Sequence, residues 1–215
     1  MADRLRIRGL YAVTPDWTDT ARLVAATRSA IGGGAGIVQY RNKAAPHALR
    51  LEQAGRLAAL CREAGAIFIV NDDIELAAES GADGLHLGRG DGSIADARRR
   101  LGANRLLGAS CYDSVDAARA AVAAGADHVA FGSFFPSGVK RDAVRAPIDI
   151  VARARGCVGV SVVGIGGITA ENAGPLVAAG IDAVAVISAV FHAPDIAAAA
   201  RAIAGLFSRP VPGSE

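Results

Sequence analysis

The stretch Ala124-Gly125-Ala126-Asp127-His128-Val129-Ala130-Phe131 decides how this chain is read. Its glycine stands where a helix would close, because a residue without Cβ takes the left-handed conformation at little cost. The residues from 128 to 131 follow at once, short and apolar enough to be a buried strand. The same passage from small-residue helix end to strand recurs at Gly32-Gly33-Gly34-Ala35-Gly36, Glu63-Ala64-Gly65-Ala66, Ser80-Gly81-Ala82-Asp83 and Ala179-Gly180-Ile181-Asp182. The recurrence is a weak internal repeat of one αβ turn, and no solenoid period accompanies it.

Working outward from these turns, eight short β-type stretches are expected at 10–14, 36–40, 67–70, 84–87, 106–110, 128–131, 159–164 and 183–187. Helical patterns between them include 44–64, 114–124, 170–179 and 195–207, with Ser114 and Thr169 as N-caps. Strict alternation of strand and helix implies parallel pairing, and eight strands imply closure into an α/β (βα)8 TIM barrel. One domain over residues 1–215 is expected, with 209–215 as a frayed tail. A doubly wound open sheet competes with this reading, but its glycine fingerprint would follow the first strand. Pro15-Asp16-Trp17 stands there instead, and the cluster at Gly32 precedes a strand.

Hydrophobic residues make up 52% of the 215, charged residues 20% and aromatic residues 5%, the Ala, Val and Ile richness of a helix-wrapped parallel sheet. A net charge of +2 argues against nucleic acid as partner and leaves small molecules. Arg98-Arg99-Arg100 is read as a solvated helix face. Cys61, Cys111 and Cys157 are odd in number and lack a CxxC pattern, so neither a disulfide framework nor a zinc site is expected, and a cytoplasmic setting fits. No targeting or membrane segment is read, and a homo-oligomer is compatible with the composition.

In a closed barrel of this kind every strand delivers its C-terminal end to one mouth, so polar strand ends far apart in sequence can build one pocket. In Gln39-Tyr40-Arg41-Asn42-Lys43, alternation puts Gln39, Arg41 and Lys43 on one face and Tyr40 and Asn42 on the other. Two cations on one face suit a phosphate or diphosphate, the plainer alternative being a solvated strand exit. Asn71-Asp72-Asp73 and Asp91 end the third and fourth strands, where Asp72 and Asp91 could share a hard cation or an aspartate could simply cap a helix. Ser110 is a hydroxyl at the fifth strand end, either a turn residue or a ligand. Ser137-Gly138-Val139-Lys140 lie in a long βα loop, with Lys140 either facing a ligand or a surface charge. Val163-Gly164-Ile165-Gly166-Gly167-Ile168-Thr169 exposes backbone N–H groups where barrels commonly bind phosphate, and Ile187-Ser188 would complete that site. His47, His86, His128 and His192 show no metal spacing, and no nucleophile dyad can be assembled.

Together, residues 39–43, Val70-Asn71-Asp72, Gly84 to Gly88 with Asp91, Gly108 to Ser110, and Val163 to Thr169 resemble the thiamine-phosphate synthase family, over about residues 10–204. The resemblance implies transfer of a hydroxymethylpyrimidine from its diphosphate to a thiazole phosphate, giving thiamine phosphate and diphosphate. It implies that Gln39, Tyr40, Arg41, Asn42, Lys43, Asn71, Ser110 and Lys140 hold the pyrimidine diphosphate. Ser137, Gly138, Val139, Gly167, Ile187 and Ser188 would hold the thiazole phosphate, and Asp72 with Asp91 one Mg²⁺ per site. Arg41, Lys43, Lys140 and Ser110 would carry the catalysis. The chain departs from the family where two threonines usually flank one residue, since it has Ser137-Gly138-Val139 there. Two rival readings are a thiazole tautomerase on the same barrel and a phosphate-ligand sensor without catalysis.

Overall fold

A computed structural model describes residues 7–136 and 145–208. In chain order the elements are β1 (Gly9–Val13), α1 (Thr20–Gly32), β2 (Ala35–Tyr40), α2 (His47–Ala64), β3 (Ile67–Asn71), α3 (Ile74–Glu79), β4 (Gly84–Leu87), α4 (Ile94–Leu101), β5 (Leu106–Tyr112), α5 (Val115–Ala123), β6 (His128–Phe131), α6 (Ile150–Arg155), β7 (Ser161–Ile165), α7 (Gly174–Ala178), β8 (Ala183–Val186), α8 (Ser188–Phe191) and α9 (Ile196–Ala204). The strands pair in sequence order, all parallel, and β8 closes on β1 with Gly9 opposite Ala183. The eight-stranded barrel expected from the alternation is thus the fold.

Period-two alternation sorts the strand residues into two cores. Tyr11, Ile37, Ile69, Val163 and Ala185 fill the barrel interior. Their neighbours Val38, Phe68, Leu85 and Leu107 face outward under the helices, as do Leu10, Val129, Val162 and Val184. A strand covered on both sides needs apolar residues on both, which is why these segments read as unbroken hydrophobic runs.

The repeated αβ turn takes the conformation its glycines predict: Gly34, Gly65, Gly81, Gly125 and Gly180 all have positive φ. The aspartates that follow three of these glycines do a job the sequence did not announce. Asp83, Asp127 and Asp182 each accept a hydrogen bond from the N–H of the second residue of the preceding strand: Phe68 at 2.8 Å, Leu107 at 2.9 Å and Val162 at 2.8 Å. Each also donates its own N–H to the same residue's carbonyl, so one aspartate ties two strands at the N-terminal face. Replacing Asp182 with Ala strands the buried N–H of Val162, and urea unfolding is expected to show a loss of about 1–3 kcal/mol. Arg155→Ala removes only the exposed partner of that aspartate, 2.8 Å away, and is expected to cost about 1 kcal/mol or less.

Several boundaries move for local reasons. The second helix begins at His47 rather than at 44, because Pro46 disfavours helical backbone at Ala45 before it. Strand β7 starts at Ser161, since Gly159 turns with φ 65°. Strand β5 runs on to Tyr112 through an irregularity after Ser110. Ser114 caps α5 by accepting from Ala117 N–H, as expected. Thr169 does not cap a helix: Asn172 closes a turn on the Thr169 N–H and the Gly167 carbonyl, and α7 opens only at Gly174. The arginine run is a solvated face at Arg99 and Arg100 but not at Arg98. That side chain donates to the carbonyls of Gly102, Arg105 and Gly125 and pairs with Asp127, bracing three segments at the N-terminal face. The expected tail at 209–215 lies outside the described residues.

Candidate active site

Lys43 lies just beyond the end of β2, where its Nζ meets Asp72 Oδ2 at 2.6 Å and Asp91 Oδ1 at 3.9 Å. Hydrogen bonding to Asp72 raises the Lys43 pKa, so the ammonium is secure at neutral pH. Asp72 holds a left-handed backbone, φ 65°, uncommon outside glycine, and its N–H donates to the His86 carbonyl of the next strand at 2.8 Å. Asp73, not Asp72, is the cap of α3: its Oδ1 accepts from Leu76 N–H at 2.9 Å and its Oδ2 accepts from Arg50 at 2.9 Å. Neighbouring carboxylates are thereby divided, one tied into structure and one turned to the mouth.

Asp91 follows β4 through a tight turn in which its Oδ2 accepts from Gly88 N–H at 3.1 Å. Burial and the nearness of Asp72 raise its pKa, while Lys43 opposes that rise. Two carboxylates pressed together around one cation make a place where charge is unbalanced without a ligand. A cleft of about 240 Å³ opens here, lined by Tyr40, Asn42, Lys43, Asn71, Asp72 and Asp91, together with Arg50, Asp73 and Leu76.

The alternation expected across residues 39–43 holds. Gln39 points inward and donates to the Tyr11 hydroxyl at 2.8 Å. Tyr40 and Asn42 turn outward, where the Tyr40 hydroxyl donates to Gln53 Oε1 at 2.9 Å and Asn42 donates to Gln53 and to the Trp17 carbonyl. These two side chains are therefore committed to α2 and to the β1–α1 loop, and they shape the cleft as its wall. Arg41 lies at the rim, its Nη1 donating to both Asp16 oxygens at 3.1 and 3.2 Å. An exposed pair of this kind is worth about 0–1 kcal/mol, so the guanidinium can be shared with an arriving anion cheaply.

Ser110 sits lower in the mouth, its Oγ 2.9 Å from His86 Nε2. The turn after β7 is built from glycines for a steric reason. Gly166 (φ 100°) lies against Ser133, and Gly167 (φ 65°) lies against the carbonyls of Phe135 and Pro136, so no Cβ fits at either. Ile187 precedes the four-residue α8, and Ser188 opens it, exposed at the end of β8. Ser137, Gly138, Val139 and Lys140 lie outside the described residues. The chain on either side of them is fixed beside the glycine turn, since Phe135 N–H donates to the Gly166 carbonyl and Ala146 N–H to that of Ser133.

Sequence reasoning missed Asp16, Arg50 and Gln53 as supports of these groups, because each partner lies 11 to 36 positions away with no local signal. The aspartate in Pro15-Asp16-Trp17, at the exit of a strand, is the one that position alone could have flagged.

The family model described as thiamine monophosphate synthase matches residues 10–190. A thiamine-phosphate synthase of Chromobacterium violaceum is 58% identical over 202 residues, covering 94% of this chain and 97% of that protein. One from Thiobacillus denitrificans is 54% identical, covering 93% and 95%. The solved thiamine phosphate pyrophosphorylase of Pyrococcus furiosus superposes with a TM-score of 0.83 at 35% identity, covering 93% of this chain and 95% of its own. The match takes in the strand ends that carry Lys43, Asp72, Asp91 and Ser110, and with identity above one half along nearly the whole length of both relatives, the chain belongs to the thiamine monophosphate synthase family.

Proposed function

We propose that the chain is a thiamine-phosphate synthase, joining 4-amino-5-hydroxymethyl-2-methylpyrimidine diphosphate to a thiazole phosphate with release of diphosphate. The observation that carries this reading is the placement of Lys43 between Asp72 and Asp91 at the mouth, with Arg41 on the same strand face.

The donor set fits Mg²⁺. Two carboxylates supply hard oxygens; among the described residues no group of three or more His, Cys, Asp or Glu gathers here or elsewhere, so the rest of the shell would come from ligand and water. Asp72 and Asp91 would hold the ion, diphosphate oxygens and water completing its shell. Bound there, Mg²⁺ supplies positive charge to the departing diphosphate.

The remaining work falls to the chain's own residues. Departure of the diphosphate puts negative charge on its bridging oxygen, and preorganised cations aimed at that position lower the barrier. Lys43 and Arg41 would be such cations, and Lys140, which the resemblance adds as a third, lies outside the described residues. Asn71 and Ser110 would orient the pyrimidine side, and the glycine turn at Gly167 with Ile187 and Ser188 would receive the thiazole phosphate. The thiazole nitrogen brings its own lone pair, so capture of the pyrimidine methylene needs no base.

The purified protein is expected to form thiamine phosphate only when Mg²⁺ and both phosphorylated precursors are present, followed by chromatography of the product. Isomerisation of the thiazole alone, without coupling, would replace this reading by a tautomerase.

A further inference from the structure

Two buried histidines stand beneath the mouth with no part in the chemistry above. His128 on β6 is 0% exposed and His86 on β4 is 7% exposed. His128 Nε2 lies 3.4 Å from His86 Nδ1, and His86 Nε2 lies 2.9 Å from Ser110 Oγ. The two rings occupy the space a side chain of Gly108 would fill, so β5 yields its central position to them. Tyr11 covers the other side of His128, ring centroids 6.1 Å apart at 55°, a contact that gives the imidazole no acceptor. Among the described residues, His128 Nδ1 has no hydrogen-bond partner.

That orphan atom orders the protons of the whole row. Both rings are buried, and among the described residues their nitrogens meet only each other and Ser110, with no carboxylate to hold a second proton, so each is neutral with one N–H to place. A buried N–H without an acceptor is the rarer and more costly orphan, so the proton of His128 belongs on Nε2, where it faces His86. His86 Nδ1 then accepts and must be bare, which puts the His86 proton on Nε2, facing Ser110. Ser110 Oγ accepts that bond, and its own hydroxyl proton is left over, to be given to an acceptor in the mouth.

We propose that His128 is a positioning residue that acts through His86 to fix Ser110 as a hydrogen-bond donor toward the reactant. This deepens the synthase reading and rests on it for the identity of the acceptor, a ring nitrogen or a diphosphate oxygen of the pyrimidine substrate. The opposite arrangement, with Ser110 donating to His86, would leave the serine only lone pairs and would repel such an acceptor.

The test begins on the ligand-free full-length protein with ¹⁵N-labelled histidine, since long-range ¹H–¹⁵N correlation reads the tautomer of each ring without any turnover. Both His86 and His128 are expected as the Nε2–H form at pH 8. A Nδ1–H form of His86 overturns the proposal whatever reaction the enzyme catalyses, and a failure of the parent to make thiamine phosphate would count against the synthase reading alone. In the coupling assay His128→Phe is expected to mix the His86 tautomers and lower kcat about tenfold, as loss of a supporting hydrogen bond does. His128→Gln, whose amide nitrogen can donate from the Nε2 position, is expected to restore most of that rate. A His128→Phe protein with parental kcat and an unchanged His86 tautomer overturns the proposal. Should that variant not fold, the parent tautomers and the rescue variant still decide it.

Discussion

An Asp91→Ala protein is expected to fold like the parent and to lose coupling activity by roughly a thousandfold, the scale set by removing a preorganised charge-stabilising group. The fold should survive because Asp91 sits on a turn beyond β4, where its side chain accepts from the Gly88 N–H at 3.1 Å and otherwise faces Asp72 and Lys43 at the mouth. Loss of that bond on an exposed turn is worth about 1 kcal/mol. The reaction should suffer because half of the carboxylate pair at the mouth is gone, leaving Lys43 and Asp72 to neutralise each other at 2.6 Å. Circular dichroism and the urea midpoint check the first half, and initial rates across a Mg²⁺ titration check the second. A requirement for much more Mg²⁺ in Asp91→Asn would agree with the assignment. Parental activity in Asp91→Ala would remove it.

Gly108→Ala should be a strongly destabilising methyl addition inside the barrel. A Cβ there would overlap His128 Nε2, His128 Cε1 and His86 Nδ1 together, and both rings belong to buried residues of the adjoining strands. Overpacking of a closed core costs about 1–3 kcal/mol, and two rings with no way out place this site at the upper end, near 3 kcal/mol. Chemical denaturation measures it directly. Gly55→Ala is the matched control, since Gly55 is exposed in α2 with open space around its Cβ position. That substitution should stabilise by about 0.5–1 kcal/mol, because alanine loses less backbone freedom than glycine in a helix. A Gly108→Ala protein as stable as the parent would show that the two histidines can move apart.

How far the site could be foreseen differs from group to group for physical reasons. The inward set Gln39, Arg41 and Lys43 followed from alternation, a property of extended backbone that does not depend on what surrounds it. The choice between capping and an open carboxylate at Asp72-Asp73 was undecidable from spacing. It is settled by the positive φ of Asp72 and by Arg50 reaching Asp73 from a helix 23 residues earlier. His86 and His128 look like ordinary core histidines along the chain. Only the register that sets His86 opposite Gly108, and Gly108 opposite His128, makes them a row.

By itself the amino-acid order determined the eight strands, the glycine turns that separate them from the helices, and hence the barrel with its polar tips gathered at one end. These are local consequences of side-chain alternation and of φ values open to glycine, so neighbours in sequence carry them. Tertiary structure alone decided which carboxylate faces Lys43, that Tyr40 and Asn42 serve the wall behind the strand, that Arg98 is a brace, and that three aspartates tie strands at the far face. Each of those depends on a partner brought close by barrel closure, and the distance between partners across a closed sheet is written in no single segment.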